Sequence, residues 1–429
     1  MKQYEAYKDS GIQWLGKIPS HWHITKFKRL FSFGRGLSIT KADLVDEGVP
    51  VISYGQIHSK QNTGTKIEDH LFRYIPESYI KGNDSSKVSK GDFIFADTSE
   101  DLDGCGNCVY IDKNNQLYAG YHSIIAKNIK HTDAKYLAYL FKTDCWRSQI
   151  RSSVNGVKVF SITQNTLSDT DVLIPTFTEQ QAIASYLDYK VGQIDTAIAE
   201  KVQMLEDLKE YRSVIISEAV TKGLDKNVEM KDSGIEWIDT MPKHWKKMKI
   251  KNLSNLQSGS SLVSEQILDK GMYPVFGGNG IRGYYNEYNV EGVHVLIGRQ
   301  GALCGNINMA NGKFWATEHA VVCHPIVDYN AEWFAALLEK MNLNQYSQSA
   351  AQPGLSVEKI KNLYIPVPPK EEQILIGNYL DHKNEQINQS ILELQSQTDD
   401  LRAYKSSVIT EAVTGKVDLR DWKPKQVNT

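Results

Sequence analysis

A chain of 429 residues with 41% hydrophobic residues and a formal net charge of −2 has the length for two to three domains with ample cores. No run approaches the length of a membrane span, and the near-neutral charge excludes a uniformly basic coat while leaving room for a local basic face. Five scattered cysteines, an odd number, fit a reducing cytoplasm better than a disulfide scaffold, and MKQYEAYKDSG at the N-terminus lacks the apolar stretch of an export signal.

In chain order, the first feature is Asp9-Ser10-Gly11-Ile12-Gln13-Trp14 followed by Pro19, His21 and Trp22. It returns as Asp232-Ser233-Gly234-Ile235-Glu236-Trp237 with Pro242, His244 and Trp245, a shift of 223. Paired tryptophans around a proline predict packing, and neither histidine has an acidic or cysteine neighbour at metal-ligand spacing. Basic residues gather locally, in Lys26-Phe27-Lys28-Arg29 and in Lys246-Lys247-Met248-Lys249-Ile250-Lys251.

Short β-rich runs come after the first opening, at Val49 to Tyr54, Gly91 to Ala96 and Cys108 to Ile111, set among Gly, Asn and Asp turns. A helix is expected from about Ala134 to Ile150. After the second opening come runs at Tyr273 to Phe276, Val293 to Ile297 and Ala320 to Cys323, then a helix from about Ala331 to Met341. The element order matches while the residues differ, which predicts two heads on a duplicated frame. Loop residues suited to reading nucleic acid are Arg35, Lys41, Tyr54, Gln56, His58, Lys60, Gln61, Asn62, Asn155 and Lys158 in the first head. In the second they are Arg282, Tyr284, Tyr285, Arg299, Gln300 and Gln352, expected in Gly-rich turns. Arg and Gln make bidentate contacts to guanine and adenine edges.

Each head is followed by a long amphipathic stretch. Thr178 to Gly223 aligns without a gap onto the chain 193 residues later, and roughly 20 of about 44 positions are identical. In the first copy Leu187, Val191, Ile194, Ile198, Leu205, Leu208, Ile215 and Ala219 form one seam, interrupted by Lys201 and Arg212. In the second, Leu380, Ile387, Ile391, Leu394, Leu401, Val408 and Ala412 form it, with Asn384, Thr398 and Lys405 on the same line. A narrow stripe with polar interruptions predicts coiled-coil partners. Thr178 with Gln181 is the expected capping box, and Gly223 and Gly415 the expected stops. About 45 helical residues span about 68 Å, whereas a domain of about 140 residues is some 30 to 40 Å across. The second helix is therefore expected to turn back along the first as an antiparallel spacer. Tyr186, Met204, Tyr211, Ile216, Tyr379, Tyr404 and Ile409 are expected partly outside the seam, as apolar surface for a partner.

Catalytic motifs do not accumulate. Gly278-Asn279-Gly280-Ile281-Arg282-Gly283 satisfies G-x-G-x-x-G, yet the adjoining Tyr284 to Asn289 is turn-prone and offers no helix N-terminus for a pyrophosphate. Cys105-Gly106-Asn107-Cys108 is a lone C-x-x-C with Gly-Asn as a turn. Neither a phosphate-binding loop nor an H-E-x-x-H, G-x-S-x-G or N-P-P-Y tetrapeptide occurs. The residues point to recognition or scaffolding, without catalysis or a metal site.

The D-S-G-I-x-W-(x4)-P-x-H-W opening, the I-P…E-Q-x-x-I-x-x-Y-L-D start of each helix (Ile174-Pro175 to Asp188; Ile365-Pro366 to Asp381) and the S/T-E-A-V-T exit resemble the specificity subunit of type I restriction-modification enzymes over essentially the whole chain. The resemblance implies a mixed α/β (α+β) fold with a pseudo-two-fold internal repeat, in which two target recognition domains are separated by an antiparallel pair of long helices. The expected organisation is 1–177 and 228–369 for the recognition domains, 178–227 for the central spacer, and 370–429 for the distal spacer and tail. It further implies a non-catalytic chain that reads a bipartite, asymmetric sequence in double-stranded DNA. Its helices would dock two adenine methyltransferase subunits, which ATP-dependent restriction subunits join. S-adenosylmethionine, ATP and magnesium would sit on those partners, with no cofactor bound by this chain. Two other readings stay open on the residues alone: the recognition subunit of a related two-component system, and a coiled-coil adaptor whose heads bind proteins.

Overall fold

The structure, a computed structural model, describes residues 2–12, 15–113, 116–130, 132–156, 158–301, 303–347 and 354–423. The chain divides into two units. One takes in the chain up to Glu200 and again from Gln397, and the other runs from Lys201 to Ser396.

In the first unit, β1 (His23–Lys26) and β10 (Asp171–Ile174) pair antiparallel and bracket the head. Between them lie β2 (Phe31–Arg35), β3 (Val49–Ile52), β4 (Arg73–Ile75), β5 (Lys87–Val88), β6 (Phe93–Ala96), β7 (Cys108–Tyr110), β8 (Leu117–Ala119) and β9 (Ser123–Asn128). They make two four-stranded sheets, ordered β7-β6-β9-β2 and β4-β3-β8-β5, antiparallel except where β8 runs parallel to β3. The period-two alternation of a strand sends neighbouring side chains to opposite faces. Accordingly Phe93 and Phe95 join an aromatic layer with Phe27, Phe31, Phe141 and Trp146, while Ile94 and Ala96 join Ile52, Ala119 and Ile125 on the other side. The helix expected over Ala134 to Ile150 is two, α2 (Ala134–Phe141) and α3 (Asp144–Arg151). Thr143 ends the first and caps the second, its hydroxyl accepting from the Trp146 amide, and the bend lays Trp146 against Phe141 with centroids 4.4 Å apart.

The second unit repeats this plan. β11 (Lys246–Lys249) and β20 (Tyr364–Val367) bracket β12 (Ser254–Ser258), β13 (Tyr273–Gly277), β14 (Gly280–Tyr285), β15 (Val290–Glu291), β16 (His294–Gly298), β17 (Ile307–Ala310), β18 (Lys313–Ala316) and β19 (Ala320–Pro325). The sheets are ordered β12-β19-β16-β17 and β14-β13-β18-β15, so each strand's counterpart is the one ten numbers on. Register agrees as well as order. Arg35 faces Ile124 and Ala96 faces Ser123 in the first head; Ser258 faces Val321 and Gly298 faces Ala320 in the second. The likeness between the heads, faint in their residues, is thus close in their hydrogen-bond ladders. The largest local difference is the link after the parallel-paired strand. In the first head, residues 53–72 join β3 to β4 and include α1 (Tyr54–Ile57), whereas residues 278–279 alone join β13 to β14. This insertion is much of why the second half is shorter.

The long helices are α5 (Phe177–Lys222) and α8 (Lys370–Val413), of 46 and 44 residues. The capping box of α5 is Thr176 with Glu179, not Thr178 with Gln181. The Glu179 amide donates to Thr176 Oγ1 at 3.4 Å, and Glu179 Oε2 accepts from Thr176 N at 3.2 Å. Gly223 and Gly415 stop the helices with φ of 79° and 72°, the left-handed conformation that glycine adopts freely. In the first unit the start of α5 packs on the end of α8, with Leu187, Val191, Val408 and Ala412 in one core. In the second unit the end of α5 packs on the start of α8, through Ile215, Ala219, Leu380 and Ile387. The pairing within each unit is antiparallel, as expected. Ile194 is buried as well. Ile198, Leu205, Leu208, Ile391, Leu394 and Leu401 are half-buried. The charged interruptions find partners across the seam. Lys405 Nζ meets Asp195 Oδ1 at 2.6 Å, and Arg212 Nη2 donates to Asn388 Oδ1. Such pairs are satisfied at one register only. No helix among the described residues is long and apolar enough to cross a membrane.

Candidate nucleic-acid interface

Both repeats seen in the sequence meet at one joint in each half. Glu179, buried at the first turn of α5, accepts from His21 Nε2 at 2.9 Å and from Trp22 Nε1 at 3.2 Å. Glu372 in α8 accepts from His244 Nε2 at 2.8 Å and from Trp245 Nε1 at 3.0 Å. Burial pushes the Glu179 carboxyl up, but hydrogen bonds from Thr176, His21 and Trp22 outweigh it and hold the group below its ordinary range. The next residue anchors the head. Gln180 Oε1 accepts from Asp133 N, and Gln180 Nε2 donates to Pro175 O at 2.9 Å. Gln373 does the same with Asn330 N and Pro368 O. Asp133 and Asn330 in turn cap α2 and α6 (Ala331–Lys340). The Glu-Gln pair therefore fixes opening, head and long helix as one body, which is a positioning role for His21 and His244. Trp14 of the first opening lies outside the described residues.

Of the loop residues expected to face nucleic acid in the first head, three are turned inward. Gln56 is buried, and its Oε1 accepts from Ser53 N as part of the α1 capping box. His58 contacts Thr98 O through Nε2 at 3.0 Å and Asn107 through Nδ1 at 3.1 Å. Asn62 ties Ile57 O to Cys108 O. These side chains hold the insertion together and tie it to Thr98, Asn107 and Cys108. Tyr54 is half-buried against His58, with centroids 4.5 Å apart, and burial followed by the carboxylates of Glu100, Asp101 and Asp97 raises its hydroxyl above the ordinary tyrosine value. Arg35, Lys41, Lys60, Gln61, Asn155 and Lys158 are exposed.

In the second head Arg282, Tyr284 and Tyr285 are not in turns. They lie on β14, whose ladder with β13 pairs Tyr285 with Tyr273 and Tyr284 with Pro274. The Gly-Asn-Gly turn is a tight hairpin, so the chain after it is strand rather than helix. Arg282 is exposed, and Tyr285 stands edge-on to Trp315. Arg299 and Gln300 follow β16 and are exposed. Gln352 lies outside the described residues. Cys105 and Cys108 are buried thiols, and burial pushes Cys108 up to about 12.

Sequence reasoning missed the place where the two sheets of the first head meet. There the end of β2, the turn into β9 and the start of α4 (Gln164–Ser168) line an open cleft of about 760 Å³, with Arg35, Asp97, Tyr121, His122 and Gln164 on its walls. His122 has φ of 51°, left-handed backbone that is uncommon for a residue with a side chain and recurs at functional sites. Its Nδ1 lies 3.2 Å from Asp97 Oδ1. A Cβ on Gly36 would collide with Gly120 O, and one on Gly259 with Ala316 O. Glycine thus allows the same close approach of backbones in both heads.

On the helices, Met204, Tyr211 and Tyr404 are exposed as expected. Tyr186, Ile216 and Ile409 are instead buried, and Tyr379 is packed on the second core. Tyr186 is covered by Trp422, edge-on at 5.4 Å. Val202, Val214, Leu375 and Leu392 add to the exposed apolar surface.

Residues 19–204 and 242–395 match the type I restriction modification DNA specificity domain. The chain is similar to the specificity subunit of the type I restriction enzyme EcoprrI of Escherichia coli, with 43% identity over 153 residues, 35% of this chain and 38% of that one. The specificity subunit of type I restriction enzyme EcoKI from Escherichia coli strain K12 is 22% identical over 434 residues, covering 90% and 89% of the two chains. The chain thus spans well under half of the first relative and most of the second. Among solved structures, a chain from work on complex assembly and conformational transition of the type I R-M system superposes with a TM-score of 0.73 at 16% identity, covering 93% of this chain and 99% of that one. The HsdS subunit from Thermoanaerobacter tengcongensis gives 0.54 at 16% identity, over 93% and 98%. These likenesses extend to the fold as a whole.

Proposed function

The chain belongs to the family of type I restriction modification DNA specificity domains, and we propose that it is the DNA sequence-recognition subunit of such a restriction-modification system. Each head reads one half of a bipartite, asymmetric target in double-stranded DNA. The paired helices fix the gap between the halves and dock two methyltransferase subunits, and restriction subunits join that core. The chain itself is non-catalytic and works in the cytoplasm. S-adenosylmethionine, ATP and magnesium serve the partners. One observation carries this reading: two heads built on the same strand order and register, held by the same Glu-Gln joint, differ in their exposed polar residues. That is the arrangement for reading two different sequences from one frame. Exposed Met204, Tyr211 and Tyr404 on the helices supply apolar surface for partner subunits.

The test is a genome-wide map of methylated adenines in cells with and without this chain, together with gel-shift titrations of the purified chain alone and with its methyltransferase partners. Loss of methylation at one bipartite motif, and specificity that arises only in the complex, is the expected result. Equal specificity for the chain alone would count against helix-borne assembly.

A further inference from the structure

The two heads place matching hydrogen-bond ladders around one corner, left-handed at His122 in the first head only, and put an arginine on opposite sides of it. In the first head Arg35 ends β2, facing Ile124 across the ladder, and Asp97 follows β6, donating its amide to His122 O at 3.3 Å. In the second head Ser258 holds the position of Arg35, and Arg299 holds that of Asp97, donating its amide to His319 O at 2.9 Å. The chain then continues alike. Ile162 N donates to Asp97 O at 2.7 Å and Leu355 N to Arg299 O at 2.9 Å, which leads into α4 and α7 (Val357–Lys361). His122 and His319 therefore occupy one position, and the arginine has changed walls.

We propose that this corner is the base-reading site of each head, with Arg35 reading a guanine of one half-site and Arg299 a guanine of the other. The proposal rests on the DNA-recognition reading above and assigns residues within it. Among the described residues Arg35 makes no ion pair and no side-chain hydrogen bond, so its planar fork of donors is free for the O6 and N7 acceptors of guanine. It lines the same cleft as Asp97, whose Oδ1 lies 3.2 Å from His122 Nδ1 and whose carboxylate can accept from an exocyclic amino group such as that of cytosine in the major groove. In the second head Arg299 Nη1 donates to Ser258 Oγ at 3.2 Å, which aims the guanidinium from the opposite wall and puts no carboxylate at that place. The second head carries its carboxylate one position before His319, Glu318 Oε1 lying 3.4 Å from His319 Nε2, so the two heads array donor and acceptor differently on a shared frame and the two halves of the target differ. The strained backbone at His122 is consistent with a corner kept for contact rather than for packing.

The experiment uses the complex of this chain with its methyltransferase subunits and a library of duplexes varied at each position of the target. Arg35→Ala should lower discrimination at one base pair of one half-site by roughly 10- to 100-fold and leave the other half-site unchanged; Arg299→Ala should do the converse. The untouched half-site reports that each variant is folded, and Arg35→Lys and Arg299→Lys, which keep the charge but lose the fork, should also lose discrimination. A uniform loss across all sequences with a shallower salt dependence would mean a phosphate contact and would overturn the assignment, as would unchanged discrimination in Arg35→Ala. A wild-type complex that recognises no bipartite target would instead overturn the DNA-recognition reading itself.

Discussion

The two heads solve one backbone problem with two fillings. At matching positions the first has Phe27, Phe31, Phe93, Phe95 and Phe141, and the second has Ile250, Ser254, Val295, Ile297 and Leu338, all buried. Phe27 and Phe31 stack with centroids 4.4 Å apart. Where the second head carries only Ser254, the Tyr329 hydroxyl reaches Ser254 Oγ at 3.2 Å and its ring lies 4.7 Å from Phe334, so a side chain from another part of the chain fills the space. Volume and pattern can be met by different residues provided the total is kept. What cannot drift independently is the register of the strands and the joint at Glu179 and Glu372, because each hydrogen bond there needs its own partner. Frame and contents are therefore separable, and on the function proposed above that separation predicts that one half-site can change alone.

The strongest way to break the comparison is to exchange a whole head. Replacing residues from about 24 to 173, which lie between the first opening and the first long helix, by the corresponding region of another specificity subunit leaves the Glu179 joint in place. Methylation mapping of the chimera should show one half-site replaced completely, with the other half and the gap intact. A change in both halves would mean that the heads do not read independently.

Smaller cuts compare the two cores. Phe93→Ala removes a ring that touches Phe31, Tyr110 and Phe141 and should destabilise the first unit by about 4 kcal/mol. Val295→Ala at the matching position should cost the second unit about 2 kcal/mol. Hydrogen exchange resolved along the chain is the suitable measurement, because a single melting temperature does not separate two units. Equal losses would show that the aromatic layer contributes no more than the aliphatic one.

The joints differ more subtly. The Glu179 side chain is 4% exposed and that of Glu372 23%, so Glu179→Ala strands the Trp22 donor more completely. A loss of about 3 kcal/mol is expected for Glu179→Ala, and less for Glu372→Ala, since water can reach the latter site. The pH dependence has a definite sign. The Glu179 carboxyl is held below its ordinary range in the folded chain, so its contribution is present above the unfolded carboxylate value of about 4.5 and is lost as pH falls through the lower folded value. Protection in the first unit should drop there in the parent and not in Glu179→Gln. An identical acid response in both would place the stabilising charge elsewhere.

Much of this was legible because the repeat is long. The gapless match of the two helices, with apolar residues at three- and four-residue steps, gives their extent to within a few residues, and the length of each helix against the size of the domain between them gives their antiparallel sense. The heads were harder. Their common plan survives only as scattered pieces such as Pro50-Val51 with Pro274-Val275 and Cys105-Gly106-Asn107 with Cys304-Gly305-Asn306. Their spacing changes from one piece to the next, since the chain between 53 and 72 is present in one head only. Arg35 and Arg299 stand out singly in the sequence, but the corner that gathers each with its neighbours does not, for the same reason. Arg35, Asp97, His122 and Gln164 come from four separate segments, whereas Gln56, His58 and Asn62 look like a recognition loop by composition yet spend polar atoms on the loop and on its neighbours Thr98, Asn107 and Cys108. Thr178 and Gln181 fit a capping box as well as Thr176 and Glu179 do locally. What decides between them is the distant pair His21 and Trp22, which hold Glu179 in place.

The smallest expected effect concerns distance alone. Inserting four residues into α5 after Glu206 falls between the cross-helix pairs at Asp195 and Arg212, in the stretch where Ile198, Leu205 and Leu208 are only half-buried and packing opposes change least. Four residues advance a helix by about 6 Å and rotate it by about 40° beyond a full turn. One base pair contributes about 3.4 Å of rise, so the advance corresponds to something under two base pairs if α8 bends to follow, and the rotation is small enough for both heads to keep their contacts with one duplex. Both half-sites should therefore survive while the unspecified gap lengthens by one or two base pairs in a methylation map. Because neither reading corner nor either Glu-Gln joint is altered, a variant that keeps its activity with an unchanged gap could only mean that these helices do not set the distance between the half-sites.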